Sequence, residues 1–228
     1  MDLRNPVSSA SHLLTAVWAL FATLVMLRMT ASRPARFVPI LVYGLSMVLL
    51  YLASGTYHGL YYDTREEERF FQKLDQSAVY CLIAGTYTPV LAILLQGTWR
   101  RLFLFLVWML AFSGVACLWF LPKAPHWVIV SLYLGLGWIG IMPVRHYYRA
   151  VGWRAMNWVW LGAFFYTAGA ICELARWPIL IPDWIQAHEV LHFCDTAGSM
   201  TFFLFVVRYV IPYRSASLTR REHFHAVA

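Results

Sequence analysis

Long apolar runs separated by short polar connections dominate this chain. A bilayer span takes about 20 predominantly apolar residues. Seven stretches meet that length: 12–29, 37–60, 76–95, 102–121, 127–144, 155–175 and 184–211. The connections are brief: Arg28 to Arg36, Asp63 to Lys73, Gln96 to Arg101, Pro122 to His126, Arg145 to Arg154, and Arg176 to Asp183. Tryptophans stand near run ends, at Trp99, Trp127, Trp153, Trp177 and Trp184, where interfacial anchors belong. The pattern predicts an all-α integral membrane protein, a seven-transmembrane-helix bundle. It forms one domain over residues 1–228, with a polar tail at 213–228.

Composition agrees. The sequence is 61% hydrophobic and 13% charged, with mean hydropathy +0.59, whereas soluble domains carry about a quarter charged residues. The first apolar run lacks a basic leader and a small-residue cleavage site, so it reads as a span and not as a signal peptide. The net charge of +7 comes from arginines in short loops, the signature of membrane flanks and not of a nucleic-acid partner. Cys81, Cys117, Cys172 and Cys194 lie inside apolar runs without a C-x-x-C pair, so they read as small buried hydrophobes. Seven spans put the termini on opposite sides. Arg4, Arg65, Arg69, Lys73, Lys123 and Arg176 then share the N-terminal side, and the other twelve of the 18 basic residues share the C-terminal side. The positive-inside rule predicts a multi-pass protein of the cell (inner) membrane with a cytoplasmic C-terminus.

Ionisable residues inside spans are functional candidates. Here they are His12, His58, Asp75, Glu173, His188, Glu189, His192 and Asp195. Parity brings four of them to one membrane face. The second span ends there with His58, the third begins there with Asp75, and the seventh begins there with His188 and His192. The last two are at i and i+4, one helical turn apart on one face. Ser54, four residues before His58, shares that histidine's face. Three neutral imidazoles and a water make a four-coordinate Zn2+ site with an open position, the catalytic arrangement. Asp75 is placed to act as general base toward that water, and Ser54 to bond the water or an oxyanion. Three residues could instead serve structure: Asp75 as partner to Lys73 or Arg69, Ser54 as a packing serine, and Glu173 as an ion pair with Arg176 at i+3. Asp195 is placed either to orient a ligand histidine or to bond a neighbouring helix.

His188-Glu189-Val190-Leu191-His192 also matches H-E-x-x-H, the zinc helix of a metalloprotease with Glu189 as base. Such a site needs a third ligand farther along the chain. Asp195 is too close on the same helix, and Glu222, His223 and His225 fall at the opposite membrane face. A retinal protein would need a lysine in the last span, but the lysines are Lys73 and Lys123. Asp-Arg-Tyr and Asn-Pro-x-x-Tyr signatures are missing, which argues against a G-protein-coupled receptor. An ion pathway through His12, Asp75, Glu173 and Asp195 is a further reading.

The motifs Ser54-x-x-x-His58, Leu74-Asp75-Gln76-Ser77, Gly85-Thr86-Tyr87-Thr88-Pro89 and His188-Glu189-x-x-His192 with Gly198-Ser199 carry a resemblance. In order and spacing, from Pro6 to Pro212, the chain resembles the haemolysin III family. That is the bacterial branch of the progestin and adipoQ receptor superfamily. The resemblance implies zinc on His58, His188 and His192, with Asp75 and Ser54 lining the site. It also implies kinship with membrane ceramidases. The expected function is a zinc-dependent membrane hydrolase of a lipid amide or ester, with a membrane lipid as substrate or ligand. The alternative is a non-enzymatic membrane sensor or receptor with a structural zinc. The chain departs from the family pattern at Asn5, where Glu is usual, at Ser8, at Ser11-His12 and at Phe202. The adiponectin-receptor branch has a cytoplasmic N-terminus, opposite to the orientation the charge count gives.

Overall fold

The structure, a computed structural model, describes residues 3–121 and 124–214. It is all-helical: α1 Pro6–Met29, α2 Pro34–Gly59, α3 Arg65–Leu94, α4 Gly97–Phe120, α5 His126–Trp138, α6 Val144–Ala175 and α7 Ala187–Phe205. A 3-10 turn (Ile139–Ile141) extends α5 and a π-turn (Val206–Val210) closes α7. Among the described residues six helices are long and apolar enough to cross a membrane; the fifth apolar segment, His126–Ile141, is shorter. At 1.5 Å per residue its 16 residues reach about 24 Å, against a hydrocarbon core of about 30 Å. The expected span at 127–144 is therefore a helix, but one not long enough to count as a span by length alone. Gly135, Gly137 and Gly140 weaken it, and Pro143 lacks the N–H that would continue it.

Two expected connections are themselves helical. The Asp63–Lys73 stretch forms the start of α3. The Thr64 hydroxyl accepts the Glu67 N–H at 3.1 Å, while the Glu67 carboxylate accepts the Asp63 N–H at 3.2 Å. Glu66, Glu67 and Glu68 complement the positive end of the helix dipole. The Arg145–Arg154 stretch forms the start of α6, broken at Gly152 (φ 77°, ψ 176°), a conformation only glycine adopts without strain. Apolar runs mark what sits in lipid, and helices extend beyond it into polar turns. The predicted tail lies outside the described residues from 215 onward.

The helices alternate direction. Asn5 N–H donates to His58 O at 2.9 Å, so the start of α1 meets the end of α2. Trp119 Nε1 donates to Ser77 Oγ at 3.0 Å, joining the end of α4 to the first half of α3. Glu173 contacts both His126 and His188, joining the end of α6 to the starts of α5 and α7. At the opposite face Arg33 donates to Ile211 O at 2.5 Å, and Arg36 donates to Ile211 O and Tyr213 O. All the elements expected at one face by parity thus gather there.

The core follows α2, with Tyr43, Met47, Leu50 and Tyr51 buried against Leu91, Val107 and Phe205. The exposed surface is apolar, as on Leu14, Val17 and Phe21 of α1 and Phe105, Met109 and Phe112 of α4. That is the surface of a protein solvated by lipid. Between helices in lipid, close packing of small residues replaces the hydrophobic drive. Gly85 lets α3 lie against α2 so closely that a Cβ there would fall 2.1 Å from Ser46 Oγ. Gly85→Val is therefore expected to cost about 1–3 kcal/mol by overpacking. Thermal unfolding in detergent checks this, and an unchanged midpoint would contradict the packing.

Candidate metal centre

The site begins with how α7 starts. Gln186 caps the helix: its side chain accepts a backbone N–H, and its own N–H donates to Glu189 Oε2 at 3.0 Å. The other carboxylate oxygen, Oε1, accepts the Ser8 hydroxyl at 2.6 Å. The glutamate of H-E-x-x-H is thus engaged in starting α7 and docking α1 onto it. With the helix so fixed, His188 and His192 project side by side toward the end of α2, where His58 stands.

His188 Nε2 lies 3.2 Å from His58 Nε2 and 3.1 Å from His192 Nε2. One ring nitrogen from each histidine falls within 4.8 Å of the others, so the three can hold a metal ion. His58 and His192 are buried and His188 is partly buried. A tetrahedral ion with Zn–N distances of about 2.0–2.1 Å sets nitrogens about 3.3–3.4 Å apart. The observed separations are close to that. Three converging lone pairs repel unless a cation or proton lies among them, so the donor set fits a metal and suits zinc.

Each ring has its own neighbour, and His192 Nδ1 has no hydrogen-bond partner among the described residues. Asn5 Nδ2 lies 3.3 Å from His58 Nδ1; the amide supports ligation through Nε2 when turned so that its oxygen accepts Nδ1–H. The residue before it, Arg4, donates to Tyr57 O at 3.0 Å, pairs with Glu68 at 2.5 Å, and stacks over the rings of Tyr57 and Tyr62. Burial opposes the Arg4 charge, but the bonds to Tyr57 and Glu68 outweigh it and raise its pKa. His188 Nδ1 lies 3.3 Å from Glu173 Oε2. His192 is stacked on His12, with centroids 3.6 Å apart and planes 8° from parallel. His12 is itself buried, and neither of its ring nitrogens has a hydrogen-bond partner among the described residues.

Asp75, in the third turn of α3, stands beside the Ser54 hydroxyl. Its suggested partner Lys73 instead lies 5.5 Å over the ring of Trp119. Asp75, His58 and His188 line one end of a cavity of about 380 Å³. The cavity continues between α3, α5, α6 and α7, past Val79, Ile83, Ile129 and Val159, to Tyr147 and Phe205. Its wall is mainly apolar. Asp195 lines it too, and the Asp195 carbonyl, not the carboxylate, accepts Tyr51 OH at 2.9 Å.

The expected Glu173–Arg176 ion pair is not formed. Arg176 ends α6 in the left-handed conformation (φ 52°) and is exposed, while both Glu173 oxygens face histidines. Asn5, His126 and the His12 stack were not anticipated in these roles. Parity would have found His126 and Glu173, because the start of the fifth run and the end of the sixth share the face of His188. Asn5 precedes the first helix, where periodicity carries no signal.

The chain is similar to known proteins over most of its length. The profile of the haemolysin-III related family matches residues 3–203. Hemolysin-3 of Bacillus cereus is 34% identical over 171 residues, covering 75% of this chain and 74% of its own length. The hemolysin-3 homolog of Bacillus subtilis (strain 168) is 32% identical over 170 residues, covering 75% and 76%. The adiponectin receptor protein of Drosophila melanogaster is 25% identical over 166 residues, covering 66% of this chain but 37% of its own length. A match across the histidines of α2 and α7 and the whole bundle between them leaves one assignment: the chain belongs to the haemolysin-III related family.

Proposed function

We propose that this protein is a zinc-dependent integral-membrane hydrolase acting on a lipid amide of ceramide-like type, or on the corresponding ester. The observation that carries the reading is the convergence of three imidazole Nε2 atoms beside Asp75, at the polar end of an otherwise apolar cavity. The cavity volume lies within the roughly 300–1,000 Å³ of small-molecule sites. His58, His188 and His192 hold the metal, and all seven helices cross the cell membrane with the basic C-terminal side in the cytoplasm.

Bound zinc supplies Lewis acidity, which brings a water's pKa near 7 and polarises a carbonyl. Asp75 accepts the proton of the attacking water as its oxygen bonds to the carbonyl carbon. Asp75 then returns that proton to the leaving nitrogen as the C–N bond breaks, giving a fatty acid and an amine. Ser54, beside Asp75, orients the carboxylate and offers its hydroxyl to the developing oxyanion. The apolar wall below holds the acyl chain and excludes water.

The test is release of fatty acid from an N-acyl sphingoid lipid by purified protein in detergent. Release is expected to stop on chelation and to return with added zinc. A zinc-loaded protein that releases nothing from either amides or esters would leave the receptor reading, with the metal as a tie between α2 and α7.

A further inference from the structure

The three histidines are not supported equally. His58 has a neutral amide behind it and His192 a stacked ring, whereas His188 has the Glu173 carboxylate. His188 is also the central member, its Nε2 within 3.2 Å of both others. A carboxylate at Nδ1 fixes the Nδ1–H tautomer, frees the Nε2 lone pair and makes it a stronger donor.

The second Glu173 oxygen is engaged as well. Oε1 lies 3.0 Å from Nε2 of His126, whose side chain is 54% exposed. His126 is the first residue of α5, the short helix that walls the cavity with Ile129, Val130 and Tyr133. The path His188–Glu173–His126 therefore runs from the metal site to a cavity wall in two polar contacts. The far end of α5 is fastened separately: the Tyr87 hydroxyl donates to Gly137 O and accepts Gly140 N–H.

We propose that Glu173 is a positioning residue that holds His188 as a metal ligand and, through His126, ties the start of α5 to the metal centre. Metal occupancy then orders the cavity wall. This rests on the zinc reading above, extends it to a residue outside the ligand set, and adds to the bond from Tyr133 OH to Gln76 O at 2.9 Å that already holds α5 to α3 beside Asp75.

The experiment uses the full chain in detergent, with Zn2+ affinity measured by chelator competition, Co2+ as spectroscopic probe, and amide hydrogen exchange across residues 126–134. Glu173→Gln keeps the shape and removes the charge. It is expected to weaken zinc binding about 10–100-fold and to change the Co2+ absorption bands. In the wild type, zinc is expected to slow exchange at the start of α5 by roughly tenfold or more. In Glu173→Gln that slowing is expected to fall, and in His126→Ala to vanish. His126→Ala alters an exposed side chain, so it decides the coupling even if Glu173→Gln does not fold: slowing that persists in His126→Ala overturns the tie to α5. Zinc affinity of Glu173→Gln within about threefold of wild type, or wild-type exchange at 126–134 that ignores zinc, overturns the proposal alone. A wild-type chain that binds neither metal overturns the zinc reading and this proposal together.

Discussion

Replacing His188 and His192 together by alanine is expected to lower bound zinc from about one ion per chain to less than about a tenth of that. The two residues are one turn apart in α7 and supply two of the three converging nitrogens. Their loss leaves His58 alone, and a single imidazole does not retain zinc through purification. The ion also binds the folded state preferentially, so it stabilises the bundle by mass action. The wild type should therefore show a zinc-dependent midpoint of thermal unfolding, and the double variant should not. Elemental analysis of the purified proteins measures the first effect. Undiminished zinc in the double variant would remove the metal assignment altogether.

Asp75→Asn is expected to retain zinc and lose turnover of an N-acyl lipid by roughly 10²–10⁴-fold, the contribution of a general base. The amide cannot take the proton of the attacking water, yet it fits the same space beside Ser54. Retained zinc separates loss of the base from collapse of the site. Ser54→Ala should cost less, because it removes a hydroxyl that orients the carboxylate and not the proton acceptor. Full turnover in Asp75→Asn would show that another group takes the proton, and Asp195, on the same cavity wall, would then be the residue to replace next.

The centre of the site was legible in the sequence because depth in a bilayer is a one-dimensional coordinate. Span parity alone puts His58, Asp75, His188 and His192 at one face, and the structure brings the three histidines within 4.8 Å. Less visible were contacts that depend on which helices are neighbours. Glu173 and Arg176 stand at i and i+3, and that local spacing suggested a pair. The left-handed turn at Arg176 sends the arginine outward and leaves the glutamate to His188 and His126. The shortness of α5, His126–Ile141 with its 3-10 turn, was hidden for a different reason. A hydropathy window counts apolar residues without asking whether glycines and Pro143 permit a long helix. Glu189, whose role as a protease base the lack of a distal ligand already argued against, starts the helix and anchors Ser8, which the motif gave no sign of.

Arg4 and Asn5 precede the first helix, yet they grip the last turn of α2 around His58: Arg4 through the Tyr57 carbonyl while pairing with Glu68 of α3, Asn5 through the His58 ring and backbone. Arg4 and Asn5 are therefore working material of the centre. An affinity handle fused tightly at the front would pull on the same strap that sets the His58 ring.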